Sequence, residues 1–122
     1  IQILNKIKPP YNISGLTQQT LLEALENHQE KDRMVTKIKE NRALLEVGLN
    51  QLSGIEKVYP TDANFLLVKL RSNATEIYQR LIERKVIVRD RSRVVLCEQG
   101  LRITVGTEAE NQTLLNTLKD IL

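Results

Sequence analysis

The fold is decided by the stretch LRITVGTEAENQTLLNTLKDIL, residues 101–122. Its first part alternates apolar and other side chains up to Gly106, which is typical of a strand with one buried face. Thr107 and Glu110 then have capping-box spacing, and the leucines and isoleucine that follow recur at helical intervals. A strand followed by a capped amphipathic helix predicts an α+β domain whose last helix covers the sheet.

Further short segments upstream are predicted to be strands. The first alternates, the second is an apolar run after turn residues, and the later ones are rich in β-branched residues or leucine between turns. They are residues 55–59, 65–70, 86–89 and 94–96, which join residues 101–105. Short turns connect most of them, and such connections favour antiparallel pairing. The sequence therefore predicts a mainly antiparallel sheet of roughly three to five strands.

Helical periodicity appears before and between these strands. Ser14 or Thr17 caps a predicted helix that ends near Gln29, and apolar residues at steps of three, four and seven predict a long helix over residues 31–52. A short helix with capping-box character begins near Asn73. The order of elements predicts an α+β sandwich with helices on one face of the sheet and no internal repeat.

The composition is that of a folded globular chain. Its 122 residues are the usual size of one domain, and 41% hydrophobic with 27% charged residues exclude a disordered or low-complexity chain. No apolar run approaches the roughly 20 residues of a membrane-spanning helix. The single cysteine, Cys97, cannot form an internal disulfide or a structural zinc site, which favours a reducing compartment. The net charge is +3, and positive and negative residues are mostly intermixed along the sequence.

Residues 1–13 are predicted to be a connector, and residues 14–122 the domain itself. Pro9 and Pro10 fix φ and remove backbone donors, which suits an extended segment. The chain starts with neither an apolar signal core nor a methionine, so we expect its first residue to be a cut edge.

Most catalytic signatures are absent from the sequence. There is no Gly-rich phosphate loop, no His-Glu-x-x-His, no nucleophile elbow and no pair of cysteines. His28 lies near the end of the first predicted helix, where imidazole interacts favourably with the C-terminal dipole. Cys97 is interpreted as a small buried hydrophobe with no base beside it. No catalytic or metal-binding residue is predicted.

Arg102 is the most informative polar residue. It interrupts a predicted strand on the face opposite Leu101 and Ile103, so its head group is presented at a defined place. A planar guanidinium binds a carboxylate or phosphate through two parallel hydrogen bonds, which lysine cannot reproduce. The alternative is a solvated arginine paired with a surface acid. Arg89 repeats the pattern after residues 86–88, and Asp90 would either orient or neutralise it.

A basic run offers an alternative function of another class, a small nucleic-acid-binding α+β module. The run consists of Arg84, Lys85, Arg89, Arg91 and Arg93. Proteins that bind single strands usually add aromatic stacking platforms. Phe65 and the tyrosines are not interleaved with the run, which counts against this alternative.

Several segments, taken together, are similar to one enzyme family. They are KPPYNIS (residues 8–14), DANFLLV (62–68), VIVRD (86–90) and GLRITVGT (100–107). In this order and spacing they resemble the C-terminal part of histidinol-phosphate aminotransferases, over nearly the whole chain. The last segment also has variants in related enzymes, so aromatic aminotransferases and phosphothreonine-decarboxylase-like enzymes stay as alternatives.

The resemblance implies the small domain of a pyridoxal 5'-phosphate enzyme with the aspartate-aminotransferase fold, acting as a cytoplasmic homodimer in histidine biosynthesis. The parent enzyme would exchange an amino group between histidinol phosphate and glutamate or 2-oxoglutarate. In that family the large domain supplies the lysine that carries the cofactor, and we expect this lysine upstream of Ile1. The fragment alone is therefore expected to bind no cofactor and to be inactive.

The same resemblance implies substrate-binding roles for particular residues. Arg102 matches the arginine that binds the acidic group of the substrate, so one cation would serve both the carboxylate of glutamate and the phosphate of histidinol phosphate. Arg89 matches a second active-site arginine and is expected to contact the phosphate. Tyr11 and Asn12 match a connector motif near the cleft, and Asn64 matches an asparagine on a strand. For these three, packing or backbone hydrogen bonding is the alternative.

Overall fold

The computed structural model describes residues 13–122, which belong to two compact units that meet in sequence between Met34 and Val35. The elements of this part of the chain are α1 (Gly15–Glu26), α2 (His28–Asn50), β1 (Ile55–Val58), β2 (Phe65–Leu70), α3 (Ala74–Glu83), β3 (Arg89–Asp90), β4 (Gly100–Thr104) and α4 (Glu108–Ile121). The strands form one antiparallel sheet in the order β1-β2-β4-β3. The predicted α+β class with an antiparallel sheet is confirmed.

One face of the sheet is covered by helices. Alternate residues of β2 and β4 are at most 1% exposed, and they pack in one core with side chains from α2, α3 and α4. These strand residues are Leu66, Val68, Leu70, Leu101 and Ile103. The intervening residues lie on the opposite face, because side chains alternate along a strand. We call this opposite side the open face; it carries Phe65, Leu67, Lys69, Arg89, Arg102 and Thr104.

The predicted helix caps are present. The Asn73 side chain accepts hydrogen bonds from the first backbone N–H groups of α3, and Thr107 and Glu110 form a capping box at the start of α4. The backbone N–H of Thr107 donates to Glu110 Oε2 at 2.7 Å, and this bond holds the pKa of Glu110 below its ordinary value. Ser14 caps α1, with its hydroxyl oxygen accepting from Thr17 N–H at 3.1 Å.

The long helix is present but begins earlier than predicted. Only Asn27 separates α1 from α2, and its side-chain oxygen accepts from Glu30 N–H at 3.3 Å. His28 therefore lies at the N-terminal end of a helix, and its predicted interaction with a C-terminal dipole is wrong. Although α2 has 23 residues, none of the described helices is both long and apolar enough to cross a membrane.

The strand predicted over residues 94–96 is not formed. These residues belong to a turn segment in which Val95 is 82% and Leu96 is 83% exposed. Leu96 and Gln99 have φ angles of 67° and 58°, in the left-handed region, which an extended strand does not allow. Apolar composition suggested a strand here, but the segment has no neighbouring strand to pair with.

The strand predicted over residues 86–89 is much shorter, and only Arg89–Asp90 joins the sheet. The reason is the end of α3. Lys85 adopts a φ of 62°, its N–H donates to the carbonyl of Ile82, and Val86 N–H donates to the carbonyl of Leu81. These two bonds form a Schellman motif, which uses the N–H of Val86 to close the helix.

Residues 13–34, described here by themselves, bury no side chain. Leu21, Leu22 and Leu25 of α1 are each more than half exposed, and neighbouring apolar residues of this size favour association. We expect the sedimentation coefficient of the 122-residue chain to rise with concentration. Leu22→Gln with Leu25→Gln should reduce this rise, whereas Gln18→Ala with Gln19→Ala should not. A wild-type chain that sediments as a monomer at every concentration would contradict the expectation.

Candidate anion-binding site

The open face brings two arginines together. Arg102 of β4 is paired with Leu67 of β2 on one side and with Arg89 of β3 on the other. Directly opposed residues of antiparallel strands have Cβ atoms about 5 Å apart, so the two arginine side chains leave the backbone at neighbouring points on this face. The predicted orientation of Arg102, away from buried Leu101 and Ile103, is therefore confirmed.

Arg102 has no acidic partner in the described part of the chain. Its Cζ lies 5.1 Å from the centroid of the Phe65 ring, and its Nε is buried without a hydrogen-bond acceptor. Among residues 13–122, no carboxylate or carbonyl accepts a hydrogen bond from its terminal nitrogens. The terminal nitrogens therefore have no acceptor among the described residues, and they could donate two parallel hydrogen bonds to an anionic ligand.

Arg89 is exposed and likewise has no ion pair with any described residue. Like charges placed directly opposite each other across two strands are destabilising unless an opposite charge lies between them. An incoming carboxylate or phosphate would relieve the repulsion between Arg89 and Arg102 and accept charge-assisted hydrogen bonds from both. The open face therefore has the chemistry of an anion-binding site.

Comparison with known proteins identifies the family. The family model described as aminotransferase class I and II matches residues 1–118. The chain belongs to this family. It is 51% identical over 119 residues to the histidinol-phosphate aminotransferase of Cytophaga hutchinsonii, covering 98% of this chain and 34% of that protein. This aminotransferase chain thus spans about a third of the length of the curated relatives that it matches.

Solved structures agree in fold. The histidinol-phosphate aminotransferase from Clostridium acetobutylicum superposes with a TM-score of 0.85 at 22% identity, over 97% of this chain and 36% of that one. The histidinol-phosphate aminotransferase from Sinorhizobium meliloti, solved in complex with pyridoxal-5'-phosphate, gives a TM-score of 0.79 at 22% identity, over 98% and 33%. The fold is that of the small domain of aminotransferase structures.

The remaining predicted site residues have different positions. Asn64 directly precedes β2, where its backbone carbonyl accepts from Val105 N–H at 2.9 Å. Its side chain is exposed and makes no hydrogen bond to a described residue. Tyr11 and Asn12 lie outside the described residues, as does the predicted connector except Ile13.

Asp90 does not interact with Arg89. One step along a strand reverses the face, so Asp90 lies on the helix side, where its carboxylate accepts from the Thr75 hydroxyl at 2.8 Å and from the Ser92 hydroxyl at 2.6 Å. Desolvation raises the pKa of Asp90, but the hydrogen bonds from Ser92 and Thr75 outweigh it and leave the pKa lowered. The prediction that Asp90 orients or neutralises Arg89 is therefore wrong.

The lowered pKa of Asp90 predicts a pH dependence of stability. Because the unfolded chain binds a proton at the ordinary value of 3.8 and the folded chain only at lower pH, the stabilisation is present above pH 3.8 and is lost as pH falls through the folded value. We expect Asp90→Asn to weaken the dependence of the free energy of unfolding on pH in this range, as measured by urea denaturation. Asp62→Asn, at an exposed aspartate, is the charge-matched control. Equal effects of the two substitutions would contradict this account.

Two lysines of the sheet contact neighbouring side chains. Lys69 Nζ lies 2.8 Å from Glu56 Oε1, and this hydrogen bond raises the pKa of Lys69. Lys57 lies over the Tyr59 ring, 4.7 Å from its centroid. Residues 13–122 also contain no cluster of His, Cys, Asp and Glu side chains that could hold a metal ion.

The basic run over residues 84–93 is divided among different elements. Arg84 follows α3, and its Nη1 lies 3.7 Å from Oδ2 of Asp120 in α4. Arg89, in contrast, lies on the open face. Lys85 ends the helix in a left-handed conformation. This division does not favour a continuous nucleic-acid surface, which would require the basic side chains to line one groove.

The contribution of Phe65 to the arginine site was not predicted from the sequence. Phe65 and Leu67 share the open face because they are two residues apart on one strand, which follows from strand geometry once residues 65–70 are predicted to be a strand. What was not visible is the register of β2 against β4, which places the Phe65 ring beside Arg102.

Proposed function

We propose that this chain is the substrate-anion-binding small domain of a histidinol-phosphate aminotransferase. The parent enzyme would transfer an amino group between histidinol phosphate and 2-oxoglutarate, forming the corresponding ketone and glutamate. Pyridoxal phosphate supplies the electronic chemistry at the reacting carbon in such enzymes. The named relatives and the cofactor complex of the Sinorhizobium meliloti protein support this assignment. The parent would act as a cytoplasmic homodimer.

The observation that carries the proposal is the cross-strand pair of arginines without a described counter-ion. Arg102 would bind the α-carboxylate of glutamate and the phosphate of histidinol phosphate in turn, because both anions accept two parallel hydrogen bonds from a guanidinium. Arg89, being more exposed, would add a contact to the phosphate, which has one more terminal oxygen to satisfy than a carboxylate. The strands hold both cations in place, so binding would orient the substrate's reacting carbon.

The other parts of the chain would have supporting roles. Residues 14–122 would form the small domain, and residues 1–13 would connect it to the large domain, with Tyr11 and Asn12 approaching the cleft between them. Asn64 would contact substrate only if the domains close over it, because its side chain is exposed next to the open face. The cofactor-binding lysine would belong to the large domain.

The test of this function is a substrate comparison with the purified full-length enzyme. We expect rapid glutamate formation from histidinol phosphate and 2-oxoglutarate, and much slower transfer from phenylalanine or tyrosine. Decarboxylation of phosphothreonine should be absent. A preference for an aromatic donor, or release of carbon dioxide from phosphothreonine, would instead assign the chain to one of the related pyridoxal phosphate enzymes.

A further inference from the structure

The Phe65 ring lies beside the Arg102 head group. Phe65 pairs with Thr104 across the β2–β4 ladder, one step along the open face from the pair of Leu67 and Arg102. Its ring centroid lies 5.1 Å from Arg102 Cζ, inside the limit of about 6 Å for a cation–π interaction. The ring therefore attracts the guanidinium. The backbone of Phe65 is itself held in the sheet by its pairing with β4.

No described residue fixes this guanidinium through a hydrogen bond or an ion pair. Fixing the long side chain of an arginine costs rotamer entropy, and no described carboxylate or carbonyl compensates by accepting a hydrogen bond. Arg89, directly opposite, repels it. Without the ring, the long side chain of Arg102 would be free to swing away from Arg89 and into solvent.

The burial of Nε defines which edge of the guanidinium meets a ligand. Nε is screened from solvent and has no acceptor, so an incoming oxygen cannot reach the edge formed by Nε and its neighbour. The edge formed by the two terminal nitrogens is the one left for a bidentate anion. A carboxylate or phosphate would therefore approach Arg102 end-on.

We propose that Phe65 is a positioning residue: its ring holds the Arg102 guanidinium so that the two terminal nitrogens face the anionic group of the substrate. This inference rests on the proposed function, in which Arg102 binds that group. Phe65 itself need not touch the substrate. Its effect would be to prepare Arg102 before binding, which lowers the entropic cost of forming the two hydrogen bonds.

The chain offers a matched control for removal of an aromatic ring. Tyr59 follows β1, is half-buried, and pairs with Leu67 through its backbone N–H at 2.9 Å. Its ring lies under Lys57 rather than under Arg102. Tyr59→Leu therefore removes a ring of similar size from the same sheet without removing the arginine contact.

The experiment measures KM for glutamate and the inhibition constant of glutarate, an unreactive dicarboxylate, with full-length variants. We expect Phe65→Leu to raise both constants roughly 5- to 30-fold, with a smaller change in kcat. Phe65→Tyr, which keeps a ring, should restore both to within roughly threefold of wild type. Tyr59→Leu should leave them unchanged.

A double-mutant cycle separates positioning from general loss of structure. In the Arg102→Ala background, Phe65→Leu should change the glutarate inhibition constant less than roughly twofold, because the residue that Phe65 holds is gone. An effect of Phe65→Leu that is equal in both backgrounds, or no larger than that of Tyr59→Leu, would overturn the inference while leaving the function intact. Wild-type constants for Arg102→Ala would overturn the proposed function and the inference with it.

Discussion

Arg102→Ala in the full-length enzyme should lower kcat/KM for glutamate and for histidinol phosphate alike, by roughly a hundred- to several-thousand-fold. This range corresponds to about 3 to 5 kcal/mol, the usual loss when one partner of a desolvated charge pair is removed. Both substrates should suffer because each would present its anionic group to the same terminal nitrogens. Arg102→Lys should recover little, since an ammonium cannot form the two parallel hydrogen bonds.

The control for Arg102→Ala is Arg84→Ala. It removes the same charge from an arginine that pairs with Asp120 at the surface, away from the open face. We expect its kinetic constants to stay within about threefold of wild type, because exposed ion pairs contribute little. Loss of activity toward only one substrate would contradict a shared site, and an equal loss in Arg84→Ala would show that net charge, rather than position, is responsible.

Leu66→Ala should destabilise the 122-residue chain by roughly 2 to 5 kcal/mol, the range observed for buried leucines replaced by alanine. Leu66 is 0% exposed and packs on the helix side of β2. Its neighbour Leu67 is half-buried on the open face, so Leu67→Ala should lower the free energy of unfolding by only about 1 kcal/mol.

Urea denaturation of these two variants tests the orientation of the sheet. The substitutions are chemically identical and adjacent on one strand, so propensity and composition effects cancel between them. Equal losses of unfolding free energy would mean that both faces of β2 are covered to the same extent. That result would also remove the open face as a place where substrate could approach Arg102.

The parts of the fold that were predictable depend on local chemistry. Period-two alternation indicated β4 and the orientation of Arg102, because a side chain's face is set by its own strand, and an apolar run that follows turn residues indicated β2. The caps at Asn73 and Thr107 were predictable because a capping side chain binds backbone groups within three residues. The helix-covered face followed from the same patterns.

The parts that were not predictable depend on pairing between distant segments. The cross-strand position of Arg89 against Arg102 is set by the β3–β4 register, which no local pattern encodes. Residues 94–96 had strand-like composition, but the left-handed φ angle of Leu96 prevents them from forming an extended strand. Asp90 was expected beside Arg89 because the two are neighbours in sequence, whereas the strand places them on opposite faces. The family resemblance supplied the substrate hypothesis, which these local patterns could not.

As proposed, this chain would contribute the anion-binding arginines, and not the cofactor-binding lysine, to a pyridoxal phosphate aminotransferase. The most direct test is to record the absorption spectrum of the purified full-length protein, reduce it with borohydride and map the labelled lysine by peptide analysis. We predict a yellow protein with one labelled lysine upstream of Ile1. A colourless protein, or a label on Lys69 or another lysine of this chain, would contradict the account.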